Sequence, residues 1–146
     1  MNIIKATTAH LDDLVPLFDG YRMFYRQTSD LETARTFLKE RITNNESVIY
    51  LAYIDNKPVG FTQLYPLFSS VSMQPMYLLN DLFVDGSIRR KGVGQGLIKA
   101  AKDLCIEKRH KGLAIQTESH NPAQHLYERV GFVKDPDLHL FWTNNH

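Results

Sequence analysis

Leu82-Phe83-Val84-Asp85-Gly86-Ser87-Ile88-Arg89-Arg90-Lys91-Gly92-Val93-Gly94-Gln95-Gly96-Leu97-Ile98 carries an apolar strand through a basic, glycine-rich loop into an amphipathic helix. Gly92, Gly94 and Gly96 let backbone approach a ligand closely, and the amides of the loop and first helical turn, Arg90 to Gly96, lack intrahelical acceptors and favour negative charge. Arg89, Arg90 and Lys91 add cationic side chains at the same place. The stretch predicts a cradle for a phosphorylated ligand. Spacing removes two common ligands. No Gly-Lys-Ser or Gly-Lys-Thr occurs anywhere, so this is not the loop that holds a nucleoside triphosphate with magnesium. The glycines at 92, 94 and 96 put Leu97 where a dinucleotide fingerprint needs its third glycine. What remains is Arg-x-x-Gly-x-Gly, Arg89 to Gly94, between a strand and a helix.

The elements on either side follow from apolar periodicity. Downstream, Val93, Leu97, Ala100, Ala101, Leu104 and Cys105 form the inner stripe of the helix, with Lys99, Lys102 and Asp103 outside. Leu113 to Thr117 reads as a strand. Asn121-Pro122 supplies an N-cap and a first-turn proline, Ala123, Leu126, Tyr127 and Val130 continue a helix, and Gly131 stops it. Phe132-Val133 and Leu138 to Trp142 are expected to close the sheet around Asp135-Pro136-Asp137. Upstream, Asn2 to Ala6 is a short strand, and Leu11, Leu14, Val15, Phe18, Tyr21 and Tyr25 place a helix over about Ala9 to Arg26. Ser29-x-x-Glu32 reads as a capping box opening a second helix, with Ala34, Phe37, Leu38 and Ile42 on one face. Ser47 to Ile54 and Pro58 to Tyr65 make a hairpin turned at Asp55-Asn56-Lys57, Pro66 limits its second strand, and Met76 to Val84 follows. The predicted order is βααβββαβαββ, an α/β mixed sheet with helices on both faces.

This order, the Arg89 to Gly94 loop and the later pair Leu126-Tyr127 and Gly131-Phe132 together resemble the GNAT superfamily of N-acetyltransferases, over nearly the whole chain. The segment from Tyr21 to Ile49 is similar to the subgroup described as histone or polyamine acetyltransferase-like. The resemblance implies acetyl-coenzyme A as cosubstrate, its pyrophosphate on the loop amides and its pantetheine amides paired with the backbone of Leu82, Phe83 and Val84. A bulge would splay this strand from its neighbour, though no residue in the sequence locates one. The side chains of these strand residues are expected in the core.

Tyr127 matches the family tyrosine after the last helix's leucine, where a phenol can protonate a departing thiolate. The same residue is also a plausible core tyrosine. Relatives often carry Asn where this chain has His120, with Asn121 following. His120 is therefore a cofactor contact, a base by virtue of its near-neutral pKa, or a solvent-exposed strand end, while Asn121 is a cofactor contact or the helix cap. The attacking amine must lose a proton. Asp81, one residue before the pantetheine segment, is the first candidate base, ahead of Glu118 and His120; Asn80 can hold a water but cannot act as a base. Tyr21, Phe24 and Tyr25 are candidate walls of the acceptor pocket or a core stripe, and Asp30 and Glu32 are adequately explained as caps.

The chain's 146 residues suit one domain, 1–146. A net charge of +1 gives no field for general nucleic-acid binding. No apolar stretch reaches a membrane span, and the start lacks a signal-peptide block, so a cytoplasmic protein is expected. The lone Cys105, on an inner helix face, reads as a buried hydrophobe and fits a reducing compartment. No metal site is expected, since His120 and His125 do not share a helix face and no Cys-x-x-Cys occurs. The reading is transfer of an acetyl group to a small primary amine by direct attack in a ternary complex. Protein lysine or N-terminal acetylation, a coenzyme A-binding regulatory module without turnover and a nucleotide-binding switch are the competing readings. Dimers are common in the family, so a homodimer is compatible with it.

Overall fold

The computed structural model describes residues 1–88, 91–118, 121–137 and 139–144. Its contacts divide the chain into two units, Met1–Gln116 and Thr117–His146, and each is described by itself.

The first unit is built on a five-stranded sheet in the order β1-β2-β3-β4-β5. β1 (Asn2–Lys5), β2 (Val48–Ile54), β3 (Lys57–Ser69) and β4 (Gln74–Val84) pair antiparallel, and β5 (Leu113–Ile115) joins β4 in parallel. Strand alternation assigns side chains to two faces. Ile4, Ile49, Leu51 and Phe61 pack on one face against α1 (Leu11–Phe24) and α2 (Leu31–Thr43). Ile3, Tyr50, Ala52, Ile54, Val59, Leu82 and Val84 pack on the other against Val93 and Leu97 of α3 (Val93–Glu107). Helices therefore cover both faces of this mixed sheet, and its one parallel pairing, β4 with β5, is connected through the helix α3.

Local chemistry moves several predicted boundaries. The first helix is preceded by a 3-10 turn at Thr8–His10, because Thr7 and His10 cap each other there. The capping residue of α2 is Asp30, whose side chain accepts from the Thr33 amide at 3.1 Å. Ser29 instead donates to the buried Asp19 carboxylate at 2.6 Å, and the Asp30 amide donates to the same group at 2.8 Å. Asp19 thus pins the loop between the helices. β3 continues through Pro66 to Ser69, because beyond Leu64 it has no β2 partner and an edge tolerates a missing amide donor. β5 stops at Ile115, short of the expected Thr117.

The second unit holds α4 (Ala123–Arg129), and Phe132 and Tyr127 pack edge to face at 6.1 Å. The two expected closing strands are not formed among the described residues; Leu138, where the second would begin, lies outside them. Isolated strands have nothing to satisfy their backbone, and no other described residue of this unit offers a ladder. Pro136 removes a donor, and the Asp135 carboxylate accepts from the Asp137 amide at 2.9 Å, closing a turn. Val133, Leu140, Phe141 and Trp142 are exposed. The order observed among the described residues is βααβββαβα.

Candidate active site

Asn80 is one backbone residue too many. Gln63 of β3 faces Asp81, but Leu64 faces Leu79, so β4 bulges at Asn80. A bulge reverses the facing of everything beyond it. Leu79 lies opposite Leu64 on the α3 side, whereas Asp81 lies opposite Gln63 on the α1 side, where alternation alone would have put Leu79 and Asp81 together. No residue of β4 alone marks this feature; its register with β3 locates it.

Just before the bulge β4 loses its second neighbour. Its parallel ladder with β5 runs only from Tyr77 to Leu79, so among the described residues Leu82, Phe83 and Val84 have β3 on one side and no strand on the other. Their side chains divide between the two cores, Phe83 toward α1 and Leu82 and Val84 toward α3. Unpaired amides and carbonyls on such an edge can accept an extended, amide-bearing chain.

After β4 the chain turns at Asp85, whose carboxylate accepts from the Ser87 amide and hydroxyl, which holds its pKa below the usual carboxylate value. Arg89 and Arg90 lie outside the described residues. Lys91 is exposed. Gly92 caps α3 at φ 71, a left-handed backbone that a side chain would strain, and supplies no side-chain cap. The first helical bond runs from the Gly96 amide to the Gly92 carbonyl at 2.9 Å. That narrows the predicted cradle: the Gly96 amide is engaged, and the first-turn donors are those of Val93, Gly94 and Gln95. The Val93 side chain is core, Gln95 is exposed, and a Cβ at Gly96 would meet only the movable ends of two side chains, Met1 Cε at 2.8 Å and Ile3 Cδ1 at 2.9 Å.

On the α1 side of the bulge, Asp81 is 2% exposed. Its Oδ2 accepts from Gln63 Nε2 at 2.6 Å and its Oδ1 from Asn80 Nδ2 at 2.7 Å, while the Asp81 carbonyl accepts from the Thr62 hydroxyl at 2.7 Å. Burial pushes the carboxyl upward from its ordinary value, against the opposing pull of the Asn80 and Gln63 amides and the adjacent Tyr21 hydroxyl. The Tyr21 hydroxyl lies against this carboxyl and donates to the Asn80 carbonyl at 3.1 Å, which ties α1 to the bulge. Burial and then Asp81 raise the Tyr21 phenol, and the same two causes push Tyr65 up to about 12.

Tyr21 packs on Phe18, Tyr25 and Phe61, with the Tyr25 ring at 5.2 Å. Phe24 meets Tyr25 edge to face at 5.2 Å and is exposed. The structure thus brings Asp81, Tyr21 and Tyr25 together and adds Gln63, Thr62 and Tyr65, which sequence reasoning missed. Only their register opposite β4 marks them. A separate depression of about 460 Å³ lies on the β1 side, lined by Met1, Asn2, Ile4, His10, Tyr53, Asp55 and Asn56.

In the second unit Tyr127 is buried, and its carbonyl accepts from the Phe132 amide at 3.0 Å. α4 starts one residue later than expected, with Pro122 and not Asn121 at the cap position; the Asn121 side chain accepts from the Ala123 amide at 2.9 Å and its backbone amide donates to the Glu118 carbonyl at 2.9 Å. His120 lies outside the described residues. Among the described residues no three His, Cys, Asp or Glu side chains converge as metal ligands, and no helix is long and apolar enough to cross a membrane.

Residues 11–132 match the model of the acetyltransferase (GNAT) family. The chain is 52% identical to the uncharacterized N-acetyltransferase YhfO of Bacillus subtilis over 136 residues, covering 92% of this chain and 91% of that protein. It is 31% identical to a probable acetyltransferase of Haemophilus influenzae, over 97% of this chain and 96% of the other. A crystal structure of a probable acetyltransferase superposes with a TM-score of 0.92 at 40% identity, over 100% of this chain and 99% of that one.

Proposed function

The chain belongs to the acetyltransferase (GNAT) family, an acetyl-coenzyme A-dependent N-acetyltransferase, and from that premise we propose that its acceptor is a small primary amine, acetylated by direct attack in a ternary complex. One observation carries the cofactor's placement: the open side of Leu82–Val84 leads into the uncapped start of α3. The residues present fit such a ligand. Backbone at Leu82, Phe83 and Val84 would hold the pantetheine amides. The amides of Val93, Gly94 and Gln95, with Gly92 left-handed and nothing within 4 Å of the place a Cβ would occupy, would hold the pyrophosphate, assisted by Lys91. When bound, the coenzyme supplies an activated acetyl thioester.

Asp81 is the proposed base. It takes a proton from the acceptor's ammonium so that the nitrogen pair is free to attack, and its raised pKa brings it toward the pH at which such a transfer is efficient. Tyr127 is the proposed acid for the departing thiolate. Tyr21, Tyr25 and Phe24 are the proposed acceptor wall, with the Tyr21 hydroxyl fixed on the bulge and Phe24 open to solvent. The small-amine preference rests on the charge of the chain, whose net value of +1 includes no extended acidic surface run for a basic peptide.

Thiol release measured across a panel of small primary amines, amino acids and lysine peptides tests the reading. Small amines are expected to turn over, and Tyr127→Phe is expected to lower kcat by about 10²-fold or more while leaving the KM for acetyl-coenzyme A nearly unchanged. Cofactor binding without thiol release on any amine would favour the regulatory module instead.

A further inference from the structure

We infer that Gln63, held by Ser47, is a positioning residue for Asp81 that fixes the carboxyl's orientation and favours its ionised form. The inference rests on the proposal that Asp81 is the base. Gln63 is 0% exposed in the middle of β3, directly opposite Asp81. An amide so placed must satisfy both its ends, because a buried unpaired polar group costs about 1–3 kcal/mol.

The Ser47 hydroxyl donates to Gln63 Oε1 at 2.8 Å, which turns Nε2 toward Asp81 Oδ2 at 2.6 Å. An N–H aimed at that oxygen stabilises a carboxylate and opposes the burial that favours the acid. The pair also tolerates the other proton state. When the carboxylate takes a proton from the ammonium, the N–H bond breaks with its electron pair left on nitrogen, and an O–H bond forms on Asp81. A turned amide then offers Oε1 to that O–H, and Ser47, which can accept as readily as donate, receives Nε2. No buried polar atom loses its partner in either state.

Among the described residues, two phenols couple to Asp81, Tyr21 of α1 and Tyr65 of β3; Tyr25, just past α1, acts on Tyr21, and Arg41 of α2 acts on Tyr65. Both Tyr21 and Tyr65 are shifted away from neutrality, so Asp81 is the group whose titration Gln63 would govern.

The experiment compares wild type, Gln63→Met and Ser47→Ala by two readouts: the pH dependence of kcat/KM, and the titration of the Asp81 side-chain carbon followed by NMR in the apo protein. Gln63→Met keeps length and removes the donor. It is expected to move the acidic limb of the rate profile and the carboxyl titration together to higher pH, by about one unit. Ser47→Ala, which keeps the amide but removes its lock, is expected to move both in the same direction by less, and serves alone if Gln63→Met fails to fold. A moved carboxyl titration with an unmoved rate profile upholds the hold of Gln63 on Asp81 and overturns Asp81 as the base. A carboxyl titration unmoved in the folded variants overturns the inference.

Discussion

Asp81 is a carboxyl with 2% of its surface in contact with solvent, clasped by side-chain amides on both oxygens. The clasp and the burial pull its proton affinity in opposite directions, and burial dominates. The sign of the linked stability follows. A carboxyl whose folded-state pKa lies above its unfolded value of about 3.9 imposes no penalty while both states are protonated. The penalty grows as pH rises from that unfolded value through the raised folded one and is constant above it. Asp81→Asn removes it. Relative to wild type, this variant is expected to gain stability progressively as pH rises from about 4, then to reach a plateau. Urea denaturation at intervals from pH 4 to pH 8 checks it, and a difference that stays flat across the series is inconsistent with a raised Asp81. Any hydrogen-bond mismatch of Asn against Gln63 adds an offset that does not vary with pH.

At the scale of elements, two nearby glycines of α3 differ in what a side chain would meet. Gly92 is left-handed at the open end of the helix, whereas Gly96 lies where a Cβ would meet Met1 and Ile3. Gly92→Ala is expected to cost about 1 kcal/mol in stability and to raise the Kd for coenzyme A, since strain relief at the cap turns the first-turn amides. Gly96→Ala, whose Cβ would meet only the movable ends of the Met1 and Ile3 side chains and which gains helix propensity, is expected to keep stability within about 1 kcal/mol of wild type while the Kd of the folded protein holds. Denaturation paired with calorimetric titration separates them, and equal losses of affinity in both would remove the cradle from Val93–Gln95. The α3 helix was legible because its apolar stripe repeats at helical spacing and its glycines follow a strand. The bulge at Asn80 was not, because a bulge is a relation between two strands and leaves no mark on one. Ser29 misled for a related reason: its hydroxyl can cap a helix, but the buried Asp19 on α1 captured it, and that contact spans helices. The closing strands failed as a prediction because Leu140, Phe141 and Trp142 have strand chemistry without a strand partner in their unit. Composition reports propensity, and pairing requires an edge.

At the scale of the whole molecule, any ligand that binds only the folded chain stabilises it by mass action, so heat can report which anion the α3 cradle prefers. At a free concentration one hundred times its Kd, a ligand adds about 2.7 kcal/mol. For a domain near this size each kcal/mol raises Tm by roughly 2–4 °C, so acetyl-coenzyme A is expected to raise it by about 5–10 °C. ATP shares the charged phosphates but has no pantetheine amides to lie along Leu82–Val84. At the same concentration it is expected to give a clearly smaller shift. Raising ionic strength weakens exposed charge contacts such as those of Lys91 more than backbone pairing, so salt should reduce the ATP shift proportionally more. Equal shifts from the two ligands, or a larger one from ATP, would make the open edge of β4 irrelevant to binding and return the glycine loop to a generic phosphate site. A shift specific to the coenzyme joins edge and loop into one ligand's footprint, with Asp81 and its Gln63 partner on the α1 face of the sheet beside that edge.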